Sequence, residues 1–327
     1  MANILVTGGA GYIGSHTCKQ LAAAGHTPIV YDNLSNGHRD AVRWGPFEAG
    51  DVTDGGRLRE AIRAHKPQAV IHFAGLIEVG ISVADPAAFY HTNVGGSLTL
   101  LHALVDEGVT SVVFSSTAAV YGQPDAVPIP EDAPSAPINL YGESKRTVEA
   151  MLGYFAAAHG LRYSALRYFN AAGADPDGDL GERHDPESHL IPLVLFAALG
   201  RRTHIDIYGT DYATPDGTAV RDYAHVSDLA RAHVAALDYL ATTPEPLIAN
   251  LGTGAGYSVR QVVDTCRRIT GRDIPSRDAP RRAGDPPELV AAVERAHNRL
   301  GWRAQNSDLD TIVATAWAWH RAQSGEC

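Results

Sequence analysis

Short apolar runs separated by longer helical patterns organise the first half of the chain. The runs are Ile4-Leu5-Val6, Pro28-Ile29-Val30-Tyr31, Ala69-Val70-Ile71-His72-Phe73, Val112-Val113-Phe114 and Tyr163-Ser164-Ala165-Leu166. Helical patterns fall between them, over 13–24, 57–64, 86–107 and 141–159. Strands that are continuously apolar, rather than alternating, are those buried on both faces. The pattern therefore predicts a parallel sheet with helices on each side, a doubly wound Rossmann-type α/β domain. After Asn170 the pattern changes. Residues 174–184 are rich in Asp, Gly and Pro and read as a loop. Beyond it, helices are expected over 190–199, 228–240, 259–270 and 308–321, with short strands near 205–208, 248–251 and 289–293. Two units are expected, 1–172 and a smaller α/β unit 173–327, with the chain free to cross between them. A length of 327 residues agrees with about two domains at roughly 150 residues each.

Composition narrows the class. Hydrophobic residues make up 45% and charged residues 20%, which suits a globular chain with a large core. The net charge of −10 argues against nucleic acid or an anionic membrane as main partner, since both select basic surfaces. No run reaches the roughly 18 apolar residues of a membrane span, and the N-terminus has no basic segment of a signal peptide. Cys18, Cys266 and Cys327 are scattered and odd in number, which fits a reduced, cytoplasmic chain.

The first candidate chemistry is Gly8-Gly9-Ala10-Gly11-Tyr12-Ile13-Gly14, after the first strand and opening the first helix. Glycines there allow a tight turn and close backbone approach to a pyrophosphate, with the helix N-terminus facing the anion. Asp32, at the end of the second expected strand, places a carboxylate where adenosine ribose hydroxyls bind and a 2′-phosphate is repelled, favouring NAD over NADP. Tyr141 and Lys145 stand four residues apart, on one helix face. An ammonium beside a phenol favours the phenolate, giving an acid/base near neutral pH. Ser115-Ser116-Thr117 follows a strand at the carboxyl edge of the sheet, where the Thr117 hydroxyl is placed to meet a substrate oxygen.

These motifs, with Asp51-Val52, His72-Phe73-Ala74-Gly75 and Val120-Tyr121-Gly122, resemble the extended short-chain dehydrogenase/reductases. Arg167-Tyr168-Phe169-Asn170, residues 217–226 and Arg281-Arg282-Ala283-Gly284-Asp285-Pro286 look like the UDP-glucose 4-epimerases within that group. In that family a bound NAD takes hydride from sugar C4 while the tyrosine takes the O4 proton. The 4-keto sugar then turns over and is reduced on its other face. The resemblance implies an isomerase, with Tyr141 as acid/base, Lys145 beside it and Thr117 as the catalytic hydroxyl. It implies cofactor contacts from Gly8, Gly11, Tyr12, Ile13, Gly14, Asp32, Asn33, Asn36, Asp51, Val52, Phe73, Ala74, Gly75, Asn93, Ser115 and Tyr168. For the UDP-sugar it implies Phe169, Asn170, His189, Leu190, Tyr208, Arg221, Arg282, Asp285 and Leu289, with the two arginines on the diphosphate. It also implies a homodimer, through helices 86–107 and 141–159.

Three positions depart from family patterns. Ile77 stands where many members carry a lysine near the cofactor, so weaker NAD retention is expected. His189 replaces an asparagine, leaving its backbone to serve the diphosphate. Leu289 takes a position that gates sugar size, so weak or intermediate turnover of N-acetylated sugars is expected. Epimerisation of another nucleotide sugar is the nearest alternative. A 4,6-dehydratase is disfavoured because Ala118 and Ala119 follow Thr117, and neither transfers a proton. A non-catalytic NAD-binding protein would not need Thr117, Tyr141 and Lys145 together. No metal is expected: Asp175, Asp177 and Asp179 lack the glycine and glutamate of a calcium loop, and His184 and His189 lack partners at a recognised spacing.

Overall fold

The computed structural model describes residues 1–282 and 284–325; Ala283, Glu326 and Cys327 lie outside the described residues. The strands are β1 (Asn3–Thr7), β2 (Thr27–Asp32), β3 (Phe47–Ala49), β4 (Ala69–His72), β5 (Ser111–Thr117), β6 (Arg162–Tyr168), β7 (Asn170–Ala172), β8 (Ile205–Tyr208), β9 (Val220–Arg221), β10 (Tyr223–His225), β11 (Leu247–Leu251), β12 (Tyr257–Ser258), β13 (Ser276–Ala279) and β14 (Glu288–Leu289). The helices are α1 (Tyr12–Ala23), α2 (Gly55–His65), α3 (Val79–Ala84), α4 (Pro86–Phe89), α5 (Gly96–Asp106), α6 (Leu140–His159), α7 (Leu190–Ala198), α8 (Val226–Thr242), α9 (Val259–Thr270), α10 (Glu294–Leu300) and α11 (Leu309–Ser324).

Seven strands make one parallel sheet in the order β11-β6-β5-β4-β1-β2-β3. Side chains along each strand alternate between its two faces. In β1, Ile4 and Val6 join a core with α1 and α8, while Leu5 joins the opposite core with α2, α5 and α6. Ile29 and Val30 divide between the same two cores in β2. Both faces are therefore dry, which is why these strands read as unbroken apolar runs. β1 sits between β2 and β4, so crossovers leave it in opposite directions and open a crevice at its carboxyl end.

Two sequence expectations are corrected. The 248–251 strand, assigned to the smaller unit, is β11 and pairs with β6 in the large sheet. Ala249 and Leu251 are buried there in the core shared with α8, so hydrophobic burial draws the chain back after residue 225. The single helix expected over 86–107 is interrupted, with α4 and α5 joined by a π-helical stretch, Tyr90–Gly95. The wide turn carries Asn93 inward, where it is 2% exposed.

The smaller unit has its own core, in which α7, α9 and α11 pack around residues such as Ile191, Val194, Val262, Ile312 and Val313. Its strands form three small sheets, β10-β7, β12-β9-β14 and β13-β8. α9 starts at a capping box, Ser258 with Gln261, which ties β12 to the helix. No helix among the described residues is long and apolar enough to cross a membrane.

Candidate active site

The glycine turn sits over the carboxyl end of β1. Gly8 has φ +72°, and a Cβ there would lie 2.6 Å from the Ala74 nitrogen. A Cβ on Gly14 would lie 2.2 Å from the Gly8 carbonyl oxygen. Both positions need glycine so that helix and strand can close together. Gly11 is the N-cap of α1 and no side chain caps that helix, so the N–H groups of its first turn remain open to an anion. No acidic side chain stands in that turn to oppose one. Asp32 accepts from the Ala10 N–H at 3.0 Å and the Leu34 N–H at 2.7 Å. Each carboxylate oxygen keeps a further lone pair for a ribose hydroxyl. Burial raises the Asp32 carboxyl above its usual value, and the two N–H groups oppose that rise. An uncapped helix start, a turn without side chains and a buried acceptor together fit a dinucleotide with free ribose hydroxyls.

Asn139 starts α6, its side-chain oxygen accepting from the Gly142 N–H at 2.8 Å, and this puts Tyr141 in the first turn. Burial pushes the Tyr141 hydroxyl up to about 12; the Thr117 hydroxyl pulls it back and Glu78 adds repulsion. The expected lowering by Lys145 is absent from this geometry. Its ammonium is 5.9 Å from the Tyr141 ring centre and donates to the Ser115 carbonyl at 3.0 Å. Lys145 is 3% exposed, and burial brings it down to about 8. Desolvation thus dominates for both groups. Thr117 ends β5, and its Oγ1 accepts from the Ala119 N–H at 3.1 Å. Tyr168, at the end of β6, hydrogen-bonds the Ser115 hydroxyl.

One cavity of about 1160 Å³ joins these groups to the smaller unit. Every site residue singled out in the sequence lines it except Asn93. Asn93 lies behind the wall. Its amide donates to the Leu76 carbonyl at 3.0 Å and the Ser144 hydroxyl at 3.1 Å, and its oxygen accepts from the Leu76 N–H at 2.8 Å. It holds the loop after β4 rather than facing the cavity. On the far side, Arg221 donates to Asp285 at 2.6 Å and to the Val220 carbonyl at 2.8 Å. The Arg282 guanidinium stacks 4.1 Å from the Tyr208 ring centre. Phe169 and Leu289 pack together on the cluster of Ala118, Val120, Tyr121 and Ile129. The His189 N–H donates to Glu187 at 2.9 Å, so the backbone group expected to face a diphosphate already has an acceptor.

The expectation for His184 and His189 is also corrected. Each has carboxylate partners, Glu182 and Glu187, contributed by the same loop. The signal was present as two Glu-x-His units, Glu182-Arg183-His184 and Glu187-Ser188-His189. Asp175, Asp177 and Asp179 meet at the Lys19 ammonium, at 2.7, 2.8 and 2.9 Å. Cys18 and Cys266 are free thiols, both buried.

Comparison with known proteins gives one consistent result. Residues 4–252 match the model of the NAD dependent epimerase/dehydratase family. The chain is 54% identical over 325 residues to a UDP-glucose 4-epimerase of Rhizobium meliloti (strain 1021), covering 99% of each chain. A crystal structure of UDP-glucose 4-epimerase from Brucella ovis in complex with NAD superposes with a TM-score of 0.95 at 53% identity, covering 97% of this chain and 98% of that one. A Thermotoga maritima UDP-glucose 4-epimerase with UDP-glucose gives 0.86 at 34% identity, over 98% and 99% of the two chains. The glycine turn, the Tyr141–Lys145 helix and the shared cavity are therefore parts of an inherited plan: the chain belongs to the NAD dependent epimerase/dehydratase family, among its UDP-glucose 4-epimerases.

Proposed function

We propose that this chain interconverts UDP-glucose and UDP-galactose by inverting the sugar at C4. The observation that carries the reading is one cavity holding the glycine turn, the Tyr141 side chain and two arginines. NAD, when bound, supplies a reversible two-electron acceptor for C4. Gly8, Gly11 and Gly14 with the first turn of α1 hold its diphosphate, and Asp32 its adenosine ribose. The large sheet serves the cofactor, and the smaller unit serves the nucleotide sugar.

Tyr141 exchanges the O4 proton, with Thr117 orienting the reacting hydroxyls. Burial holds Tyr141 protonated at neutral pH, so its resting form is the acid. It acts as base when positive charge is gathered beside it, and Lys145 is the cationic side chain in reach. Arg221 and Arg282 take the sugar-nucleotide diphosphate. Arg221 spends two donors on Asp285 and Val220 and keeps others for phosphate. The cavity, at about 1160 Å³, exceeds the roughly 300–1,000 Å³ of ordinary single-ligand sites, as a site shared by a dinucleotide and a nucleotide sugar requires. Ala118 and Ala119 offer no proton for eliminating water, so the keto sugar is reduced again rather than dehydrated.

We further infer that two copies pair through α5 and α6. These helices leave Leu98 and Tyr154 exposed, the latter at 77%. Sedimentation equilibrium giving a monomer would refute that pairing. The reaction itself is tested by incubating the enzyme with UDP-galactose and reading product C4 stereochemistry by NMR. The expected product is UDP-glucose. A 4-keto-6-deoxy product, or no reaction with any UDP-hexose, overturns the proposal.

A further inference from the structure

The loop before α7 holds four side chains that the proposed reaction does not require: Glu182, His184, Glu187 and His189. The two glutamate side chains are each 4% exposed and the His184 side chain 13%. His184 Nδ1 lies 3.1 Å from Glu182 Oε1 and 3.8 Å from Glu187 Oε2. His189 Nδ1 lies 2.8 Å from Glu182 Oε1 and 3.1 Å from Glu187 Oε1. One ligand atom from each residue falls within 4.8 Å of all the others.

These spacings match a coordination shell. Bonds of about 2.0–2.2 Å to nitrogen and carboxylate oxygen place the corners of a tetrahedron about 3.3 Å apart. The hydrogen bonding is also incomplete. His184 Nδ1 and Glu187 Oε2 are buried and make no well-aligned hydrogen bond: His184 Nδ1 has only its ion pair with Glu182 at 3.1 Å, and Glu187 Oε2 stands 3.8 Å from His184 Nδ1. A buried polar atom left without a partner costs about 1–3 kcal/mol and calls for an explanation. An ion at the centre accepts lone pairs from both atoms. Two carboxylates and two neutral imidazoles carry two negative charges, which one divalent cation balances. The nearby triad of Asp175, Asp177 and Asp179 differs in having Lys19 already at its centre.

We propose that Glu182, His184, Glu187 and His189 form a structural site for one divalent transition-metal ion. Two imidazoles select a borderline metal over calcium or magnesium, and four-coordinate nitrogen–oxygen ligation suits Zn²⁺. With all four ligands from protein the site is closed, so the ion fixes the loop rather than taking part in chemistry. What it fixes is a wall of the cavity: Glu182, His184, His189 and Leu190 all line it, and His189 is the N-cap of α7.

The test uses the full-length enzyme with NAD, stripped with a chelator and kept free of UDP-sugar, whose diphosphate would compete for metal. Zn²⁺ is titrated by calorimetry and Co²⁺ by visible absorption. The expected result is one ion per chain and the intense visible band of tetrahedral Co²⁺. His184→Ala and Glu187→Gln should each weaken Zn²⁺ binding by ~100-fold or more, since even outer-shell changes cost 10–100-fold. Glu187→Gln is nearly isosteric, so a circular dichroism spectrum matching the parent shows that its loss is local. Asp177→Asn should bind as the parent does. No stoichiometric binding at micromolar metal, or undiminished binding by both loop variants, overturns the proposal and leaves a proton-filled cluster. Binding lost only in Asp177→Asn overturns it in favour of the aspartate triad.

Discussion

At the glycine end of the cavity the wall is backbone; at the arginine end it is side chain. The glycine end is made where β1 meets α1, within a few residues of sequence, and its tolerances are set by close packing: Gly8 and Gly14 have no room for a Cβ. The arginine end is gathered from β9, the segment before β14 and β8, and its charges are held by one another, as in Arg221 with Asp285. A wall of backbone cannot adapt and recognises one shape. A wall of paired side chains exchanges partners when an anion arrives. The two ends thus solve the same problem, a diphosphate, by fixed dipoles in one case and exchangeable charges in the other.

The hardest blow falls between the ends. Tyr141→Phe removes the hydroxyl that stands beside Thr117 in the cavity both ends share, and turnover of UDP-galactose should fall by about 10²–10⁴-fold. Bound NAD should be retained, because the glycine turn is untouched. Loss of NAD along with activity would show that the tyrosine belongs to the backbone end instead. Gly14→Ala comes next. Its Cβ would meet the Gly8 carbonyl at 2.2 Å, so the turn must open. Overpacking of this kind costs about 1–3 kcal/mol. NAD should be lost on gel filtration and the melting temperature should drop; an unchanged NAD content would break the view that this end is rigid.

Arg221→Lys probes the other end more gently. Lysine keeps the charge but loses the planar fork. KM for the UDP-sugar should rise about tenfold, the equivalent of roughly 1.4 kcal/mol, with NAD binding unaffected. A fall in kcat at constant KM would show that the arginine acts on the reacting sugar rather than on the diphosphate.

The same contrast explains what the sequence made legible. The glycine turn, Asp32 and the Tyr141–Lys145 pair are short-range patterns whose geometry follows from one strand, one turn or one helix face. The place of β11 in the large sheet is not legible locally, because its partner β6 is about eighty residues earlier and strand pairing over that distance has no local signal. The cofactor contact of Asn93 is implied by the family resemblance alone; the π-helical turn that ties its side chain to Leu76 has no sequence mark. For Tyr141 and Lys145 the spacing was sufficient to bring them together, yet their burial was not legible, and burial decides both protonation states. At the loop before α7 the two Glu-x-His units were visible, but only the fold shows them converging.

The smallest expected effect bears on the backbone end alone. Ile77 lines the cavity on the loop that Asn93 holds, beside Glu78, whose carboxylate accepts from Asn36 at 3.2 Å. An apolar side chain there contributes nothing polar to a bound cofactor. If fixed backbone dipoles are sufficient for retention, Ile77→Lys should change little. If retention is limited by the missing charge, the lysine adds one charge-assisted hydrogen bond, about 1.5–3 kcal/mol before competition. Glu78 competes for that ammonium, so a net gain of roughly 1 kcal/mol, about fivefold slower NAD loss, is expected. The measurement is NAD per chain after extensive dialysis of both proteins. The parent should lose part of its NAD and the variant should keep more. Stoichiometric NAD in the dialysed parent would show that the glycine turn needs no charged neighbour, and would make the backbone end of this cavity self-sufficient.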